Sequence, residues 1–574
     1  MGDLDTTLHP CSDHAMSRVA LLAIVVFSVL VVGCATPQGQ LRILHTTDVH
    51  GHLADGLTGI ASLVDQARAE PTEVLLLDSG DMWSGTLMCD RSEGSLGIAA
   101  YNALGYDAAA VGNHEFDYGP IGPERTGGSD PFAALKKRLT EANFPILSSN
   151  LVDKATQERP DWPNLKPSVL IERGGFKVGI VGATTEETAS ITFPHVGRAL
   201  AFSDAAASVI AHAKDLRQRG ADLVILIAHI GGECGDLGDP DDLSSCDNES
   251  ELFRLVRALP EHLVDIALGG HTHSPVAHRV NGVIVAHTGA HAKEVMDLRV
   301  SGVAGDLHIS WGPPVKADPG LSTDGPARTA LDAVLAPAIA EQRAQREELL
   351  GATVVTTMTR DMEESSPLGS FLCDRLLELH PEREICILNS GGIRAPIPAG
   401  DLTYGQLYDV MPFGNYAANI TLKGAALLEL LRLGTAGAHG VLQVSGLTVT
   451  YDPDKVGCGT ADRDGDGNVG PSDRDRLVSA LGPEGAPIDP DRTYRLLTNS
   501  FLASGGDGWR AVVESLPEGS VHVLDHLLPI REQIGAWMRT TRPILNSADQ
   551  PVMSTPRVRK VSEKIPAKDQ RCQP

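Results

Sequence analysis

Five short fragments in the first half of the chain gather groups that bind cations. They are Asp48-Val49-His50, Asp81 within Asp78-Ser79-Gly80-Asp81, Gly112-Asn113-His114-Glu115 with Asp117 close behind, His229, and Gly269-Gly270-His271-Thr272-His273. Singly each is weak, because a histidine after a strand is more often a packed or surface residue than a ligand. Together they supply carboxylates, imidazoles and one amide, with no thiolate. That donor set suits borderline divalent ions such as zinc, manganese, iron or cobalt. One carboxylate can bridge two such ions and hold them ~4 Å apart.

Such groups need rigid supports. The apolar runs 41–44, 74–77, 176–181, 223–228 and 264–268 read as buried strands, and several are followed at once by Asp, His, Asn or Gly. In layered α/β folds the functional groups sit just beyond the carboxyl ends of strands. Residues 35–40 form a short linker, and the prolines, glycines and small polar residues of 313–325 mark the exit from a first domain over 41–315. The Ala/Leu/Glu/Arg-rich stretch 327–350 predicts a bridging helix. A second α/β domain is expected over 351–542, followed by a polar, disordered tail over 543–574.

In this order, D-x-H, G-D, G-N-H-E, H and G-H-T-H resemble the calcineurin-like metallophosphoesterase signature, and Asn113 to Asp117, reading N-H-E-F-D, resembles the bacterial 5′-nucleotidase branch. The resemblance covers roughly residues 41–542 and includes periplasmic UDP-sugar hydrolase/5′-nucleotidase. It implies a four-layer α-β-β-α sandwich followed by a second α/β domain. It places Asp48, His50, Asp81 and His273 around a first metal, and Asp81, Asn113, His229 and His271 around a second. His114 and Asp117 resemble the catalytic dyad. The implied reaction is hydrolysis of a phosphate ester, most simply a nucleoside 5′-monophosphate, by in-line attack of a metal-bound hydroxide. A cationic His114 oriented by Asp117 would stabilise the developing charge.

The second half carries Asn389-Ser390-Gly391-Gly392-Ile393-Arg394, Pro412-Phe413-Gly414-Asn415 and Phe501-Leu502-Ala503-Ser504-Gly505-Gly506-Asp507-Gly508. These resemble the 5′-nucleotidase C-terminal domain. The resemblance implies that Phe413 and Phe501 sandwich a base, that Asp507 contacts the ribose, and that Asn389 and Arg394 contact the substrate. Aromatic residues are only 4% of the chain, which makes two of them inside Gly-rich motifs more telling.

The 574 residues suffice for two or three cored domains. A formal net charge of -26 repels polyanions and argues against duplex nucleic acid as a partner, whereas a small nucleotide remains compatible because metal ions reverse the field locally. The apolar run Ala20 to Val32, led by Arg18, reads as a signal peptide, and Val31-Val32-Gly33-Cys34 resembles a lipobox over 1–34, with Cys34 lipidated and the start at either Met1 or Met16. The chain is then exported and held in a bacterial envelope, at the periplasmic or outer-membrane face, by its lipid alone.

Two features depart from the family pattern. Cys234 and Cys246 flank a polar insertion after His229 and are expected to pair in an oxidising compartment. Asp462, Asp464, Asp466, Asn468 and Asp473 fit an EF-hand- or dockerin-like calcium loop over 462–473, with 474–481 as its exiting helix. UDP-sugar hydrolysis and 2′,3′-cyclic nucleotide phosphodiesterase activity share the same metal core and stay open. The alternative of another class is a surface calcium-dependent binding protein on a degenerate scaffold, which the intact ligand set opposes.

Overall fold

The unbroken apolar runs of the first domain become strands that are buried on both faces. The computed structural model describes residues 39–121, 130–318, 320, 324–437, 440–454, 463, 473–524, 527–546 and 557–561. The signal segment with Cys34, and Asp462, Asp464, Asp466 and Asn468 of the calcium loop, lie outside them. No helix among the described residues is long and apolar enough to cross a membrane.

Two sheets stack in the first domain. One has the strand order Asp306–Ser310, Glu294–Val303, Gly39–Thr46, Glu73–Asp78, Ala108–Ala110, Ile146–Leu147, Leu165–Lys166. The other runs Val276–Val280, Val283–His287, Ile266–Leu268, Leu223–His229, Phe176–Thr184, Ser168–Arg173. Alternation within each strand explains the continuous hydrophobicity. Leu75 and Leu77 face the second sheet, joining Val178, Ile180, Ile225 and Ile227 in the core between sheets. Val74 and Leu76 face outward and are covered by the helices Thr58–Arg68 and Ser95–Leu104. Val224, Leu226 and Ala228 likewise meet the helices Ala205–Gln218 and Glu251–Ala258. The four-layer architecture follows from these two alternations.

The helix Pro326–Glu347 leads to the second domain. Its first turn begins with proline, and the Asp65 carboxylate accepts from the free N–H groups of Ala327 at 2.9 Å and Arg328 at 3.0 Å. Leu331 and Leu335 bury into the first domain's core, whereas Arg346 pairs with Asp409 of the second domain at 2.6 Å.

The second domain centres on a five-stranded sheet ordered Leu442–Ser445, Ile385–Asn389, Thr493–Asn499, Ala417–Lys423, Val521–Val523. Two expectations fail here. Residues 477–481 form a strand, Leu477–Leu481, paired with Thr448–Tyr451, and not a helix. The tail is not wholly without structure: Ile544–Leu545 pairs with Leu349–Val354, and Val558–Lys560 pairs with Thr448–Tyr451. Arg557 anchors that last strand through a bidentate ion pair with Asp374, at 2.7 and 2.9 Å.

Candidate metal centre and interdomain cleft

Parallel register sets the centre. Thr46 lies opposite Asp78, so the first two strands leave their sheet side by side. Asp48 N–H then donates to Gly80 O, and His50 N–H to Asp81 O, each at 2.9 Å. These bonds fix Asp48 and Asp81 in adjacent loops. In the other sheet His229 ends its strand, and Gly270 N–H, beyond the neighbouring strand, donates to Ile230 O at 3.1 Å. Five of the seven expected ligands have left-handed backbone: Asp48 (φ 52°), His50 (48°), Asp81 (56°), His271 (78°) and His273 (56°). Non-glycine residues avoid that region, and such strain persists at sites the surroundings over-determine.

The side chains converge on two clusters, Asp48/His50/His273 and Asp81/His229/His271, in each of which one ligand atom per residue lies within 4.8 Å of the others. Proton accounting tests whether cations fit. His229 Nδ1–H donates to the carbonyl of Ser79 at 2.9 Å, which leaves the Nε2 lone pair facing inward. That atom meets Asn113 Oδ1 at 3.0 Å, Asp81 Oδ2 at 3.1 Å and His271 Nδ1 at 3.2 Å. His50 Nδ1–H donates to Ser84 O at 3.2 Å, so its Nε2 lone pair faces His273 Nε2 at 3.1 Å and Asp81 Oδ2 at 3.7 Å. In each cluster an imidazole lone pair and carboxylate oxygens converge on one point, which a ring N–H of His271 or His273 or a bound cation can satisfy. The residues therefore fit divalent ions, with Asp81 reaching both clusters.

Electrostatics agree. Burial works against a proton on His229, but Asp81, with Asp48 and Glu115 behind it, raises it to about 9. Burial, then His229, lowers His271 to about 4. His114 stands at the cleft with 41% of its side chain exposed, its Nδ1 2.7 Å from Asp117 Oδ2. Desolvation opposes its proton, yet Asp117 and Asp81 together raise it to about 10.

Several supporting residues went unassigned in the sequence. Ser84 donates its hydroxyl to Asp117 Oδ2 at 2.5 Å, and Thr47 donates to Asp48 Oδ2 at 2.7 Å. Glu115 accepts the backbone N–H groups of Asp81, Met82 and Gly112 at 2.9, 2.9 and 2.6 Å, tying the two ligand loops together. Burial, then Asp81, pushes its carboxyl up to about 8. Its place inside the N-H-E-F-D fragment was the available signal.

A cavity of about 1420 Å³ opens between the domains. Its lining joins His50, Asn113, His114 and His273 to Asn389, Phe413, Phe501 and Asp507. The antiparallel register Ala417↔Asn499 brings the Phe413 segment beside Phe501. Both rings are open, at 51% and 43% exposure. Asn389 is buried and accepts from Asn499 Nδ2 at 2.9 Å. Arg394 is exposed, donates to Gly391 O at 3.3 Å, and is not among the lining residues. Arg531, nearly buried, lies 4.3 Å from the Tyr408 ring and donates to Met411 O and Pro412 O at 2.7 and 3.0 Å, shaping the Phe413 loop. Tyr408 in turn contacts Asp90 of the first domain at 3.1 Å.

Asp473, the one described candidate ligand of the calcium loop, is buried and accepts from Arg463 N–H at 2.5 Å. Cys234 and Cys246 are joined by a disulfide.

Comparison with known proteins places both halves. The calcineurin-like phosphoesterase model matches residues 41–275, and the 5′-nucleotidase C-terminal domain model matches residues 345–514. A snake venom 5′-nucleotidase from Gloydius brevicauda is 28% identical over 552 residues, covering 85% of each chain. The 5′-nucleotidase of Vibrio cholerae is 28% identical over 84% of this chain and 89% of its own. Among solved structures, a 5′-nucleotidase precursor from Thermus thermophilus is 25% identical, covers 92% of this chain and all of its own, and superposes with a TM-score of 0.61.

Proposed function

The chain belongs to the metal-dependent phosphoric ester hydrolases that join a calcineurin-like phosphoesterase domain to a 5′-nucleotidase C-terminal domain, and from this premise we propose that it releases phosphate from nucleoside 5′-monophosphates in the interdomain cavity. One observation carries the reading: a single cavity joins the acceptor clusters around Asp81 to two exposed phenylalanine rings. Asp48, His50, Asp81 and His273 would hold one divalent ion, and Asp81, Asn113, His229 and His271 the other. Bound there, such ions supply activated water and neutralise phosphoryl charge.

The remaining work falls to the chain's own side chains. His114, with Asp117 favouring its charged form, presents positive charge to the phosphoryl oxygens, while Asp117, held by Ser84, fixes its ring. Phe413 and Phe501 take the base between them, Asp507 meets the ribose, and Asn389 lines the approach. Arg394 reaches the substrate by leaving Gly391 O. A calcium ion held by Asp462, Asp464, Asp466, Asn468 and Asp473 belongs to the same reading, as does export with a lipid on Cys34.

A phosphate-release panel tests the reading, using nucleoside 5′-mono-, di- and triphosphates, UDP-glucose, 2′,3′-cyclic nucleotides and p-nitrophenyl phosphate. The highest kcat/KM is expected for a nucleoside 5′-monophosphate. Turnover of UDP-glucose or a cyclic nucleotide without turnover of any monophosphate would move the assignment to that class.

A further inference from the structure

The disulfide loop holds donors that the phosphoesterase centre does not use. His278 lies on the strand Val276–Val280, beneath the 234–246 loop, and is 1% exposed. One of its ring nitrogens lies within 4.8 Å of both Cys234 Sγ and Cys246 Sγ. Its Nε2 is 2.9 Å from Asp236 O. A carbonyl only accepts, so Nε2 carries the hydrogen and the lone pair stands on Nδ1. Nδ1 is buried and has no hydrogen-bond partner. A buried, unpartnered imidazole lone pair is costly unless something occupies it. An imidazole fixed through its other N–H by a backbone carbonyl is the usual preparation of a metal-binding histidine.

The surroundings favour a cation. Glu233, Asp236, Asp239, Asp241, Asp242 and Asp247 lie on or beside the loop, and residues 233–247 contain no lysine or arginine. The loop is held over His278 by Arg279 N–H donating to Pro240 O at 2.7 Å and by the Arg279–Asp241 ion pair at 2.8 Å.

We propose that Cys234, Cys246 and His278 form a redox-gated site for a thiophilic divalent cation such as zinc, closed while the disulfide stands and opened when it is reduced. An external dithiol supplies the two electrons. The S–S bond breaks, each sulfur gains a hydrogen, and the dithiol becomes a disulfide. Cation binding then displaces the two thiol protons and takes the His278 lone pair as third donor. Sulfur donors distinguish this site from the phosphoesterase centre, whose donors are oxygen and nitrogen alone.

Cobalt(II) tests it on the full-length protein, because thiolate ligands give a near-ultraviolet charge-transfer band that oxygen and imidazole ligands do not. The protein is reduced with a trialkylphosphine, which takes oxygen from water to become its oxide, then desalted without air and titrated with cobalt. Reduced wild type should develop the band to saturation at one equivalent above the phosphoesterase centre. Oxidised wild type and reduced Cys234→Ser should not. His278→Ala should weaken binding at least about tenfold, and His278→Cys should restore it with a stronger band. Phosphate release by each variant reports its folding. Free thiols at positions 234 and 246 with no band would overturn the proposal, as would a band of unchanged affinity in a folded His278→Ala protein. Should His278→Ala fail to fold, loss of binding in His278→Cys would overturn it as well.

Discussion

The two walls of the interdomain cavity are built on opposite terms. Behind the first-domain side, Asp48, Asp81 and His229 are fully or almost fully buried, rooted at strand ends and held by backbone hydrogen bonds, while His50, Asn113, His271 and His273 bring the centre to the cavity lining. On the second-domain side, Phe413 and Phe501 stand about half exposed, Phe413 on a loop and Phe501 in the one-turn helix Ser500–Ala503. The strained wall gathers imidazole lone pairs and carboxylate oxygens that a ring N–H or a cation can satisfy. The open side presents two phenylalanine rings to the cavity. On the proposed reading, chemistry is held on the rigid side, where a small misplacement is expensive, whereas recognition falls to surfaces that would gain by burial when substrate binds.

Substitutions should break this contrast in graded steps. Asp81→Ala removes the one carboxylate common to both clusters, so turnover should fall to background and bound metal should drop. Elemental analysis beside phosphate release checks it, and full metal content with full activity would refute the shared-ligand role. His114→Ala should keep its metals but lose about 10²–10³-fold in kcat, the usual worth of one charge-stabilising group. Wild-type kcat in that variant would leave His114 without a catalytic part.

On the open wall the effect should be smaller and selective. Phe501→Ala should cost a nucleotide roughly 1–3 kcal/mol of binding, as for other base–aromatic stacks, and leave p-nitrophenyl phosphate nearly unchanged. Equal losses on both substrates would make the ring a packing residue. Smallest of all is Asp65→Ala, at the start of the helix that links the walls. Losing this cap should lower stability by about 1 kcal/mol, read as a drop in Tm with kcat on the small ester retained.

The same contrast explains what the sequence makes legible. Strands buried on both faces leave unbroken apolar runs, and the polar groups at their ends fall at fixed offsets, so the clustering of the Asp48, Asp81, His229 and His271 loops could be read directly. Glu115 could be seen but not assigned, because its partners are backbone N–H groups brought close only by sheet register. The 474–481 stretch misleads for a related reason. Leu477, Val478, Ala480 and Leu481 suit a helix or a strand alike, and pairing with Thr448–Tyr451 decides it. Val558–Lys560 is too short to announce itself and is a strand only because that same edge was open to it. Arg394 could be placed by motif only to the rim, its guanidinium bonded to the carbonyl of the lining residue Gly391.

The most direct measurement is a metal titration of the chelator-stripped protein, its Cys234–Cys246 disulfide kept intact, followed by phosphate release from a nucleoside 5′-monophosphate. Activity should be absent at the start, return with added manganese and level off at two equivalents per chain. Full turnover by the stripped protein, or no recovery with any of zinc, manganese, iron or cobalt, would contradict a centre built on Asp81 and its neighbours.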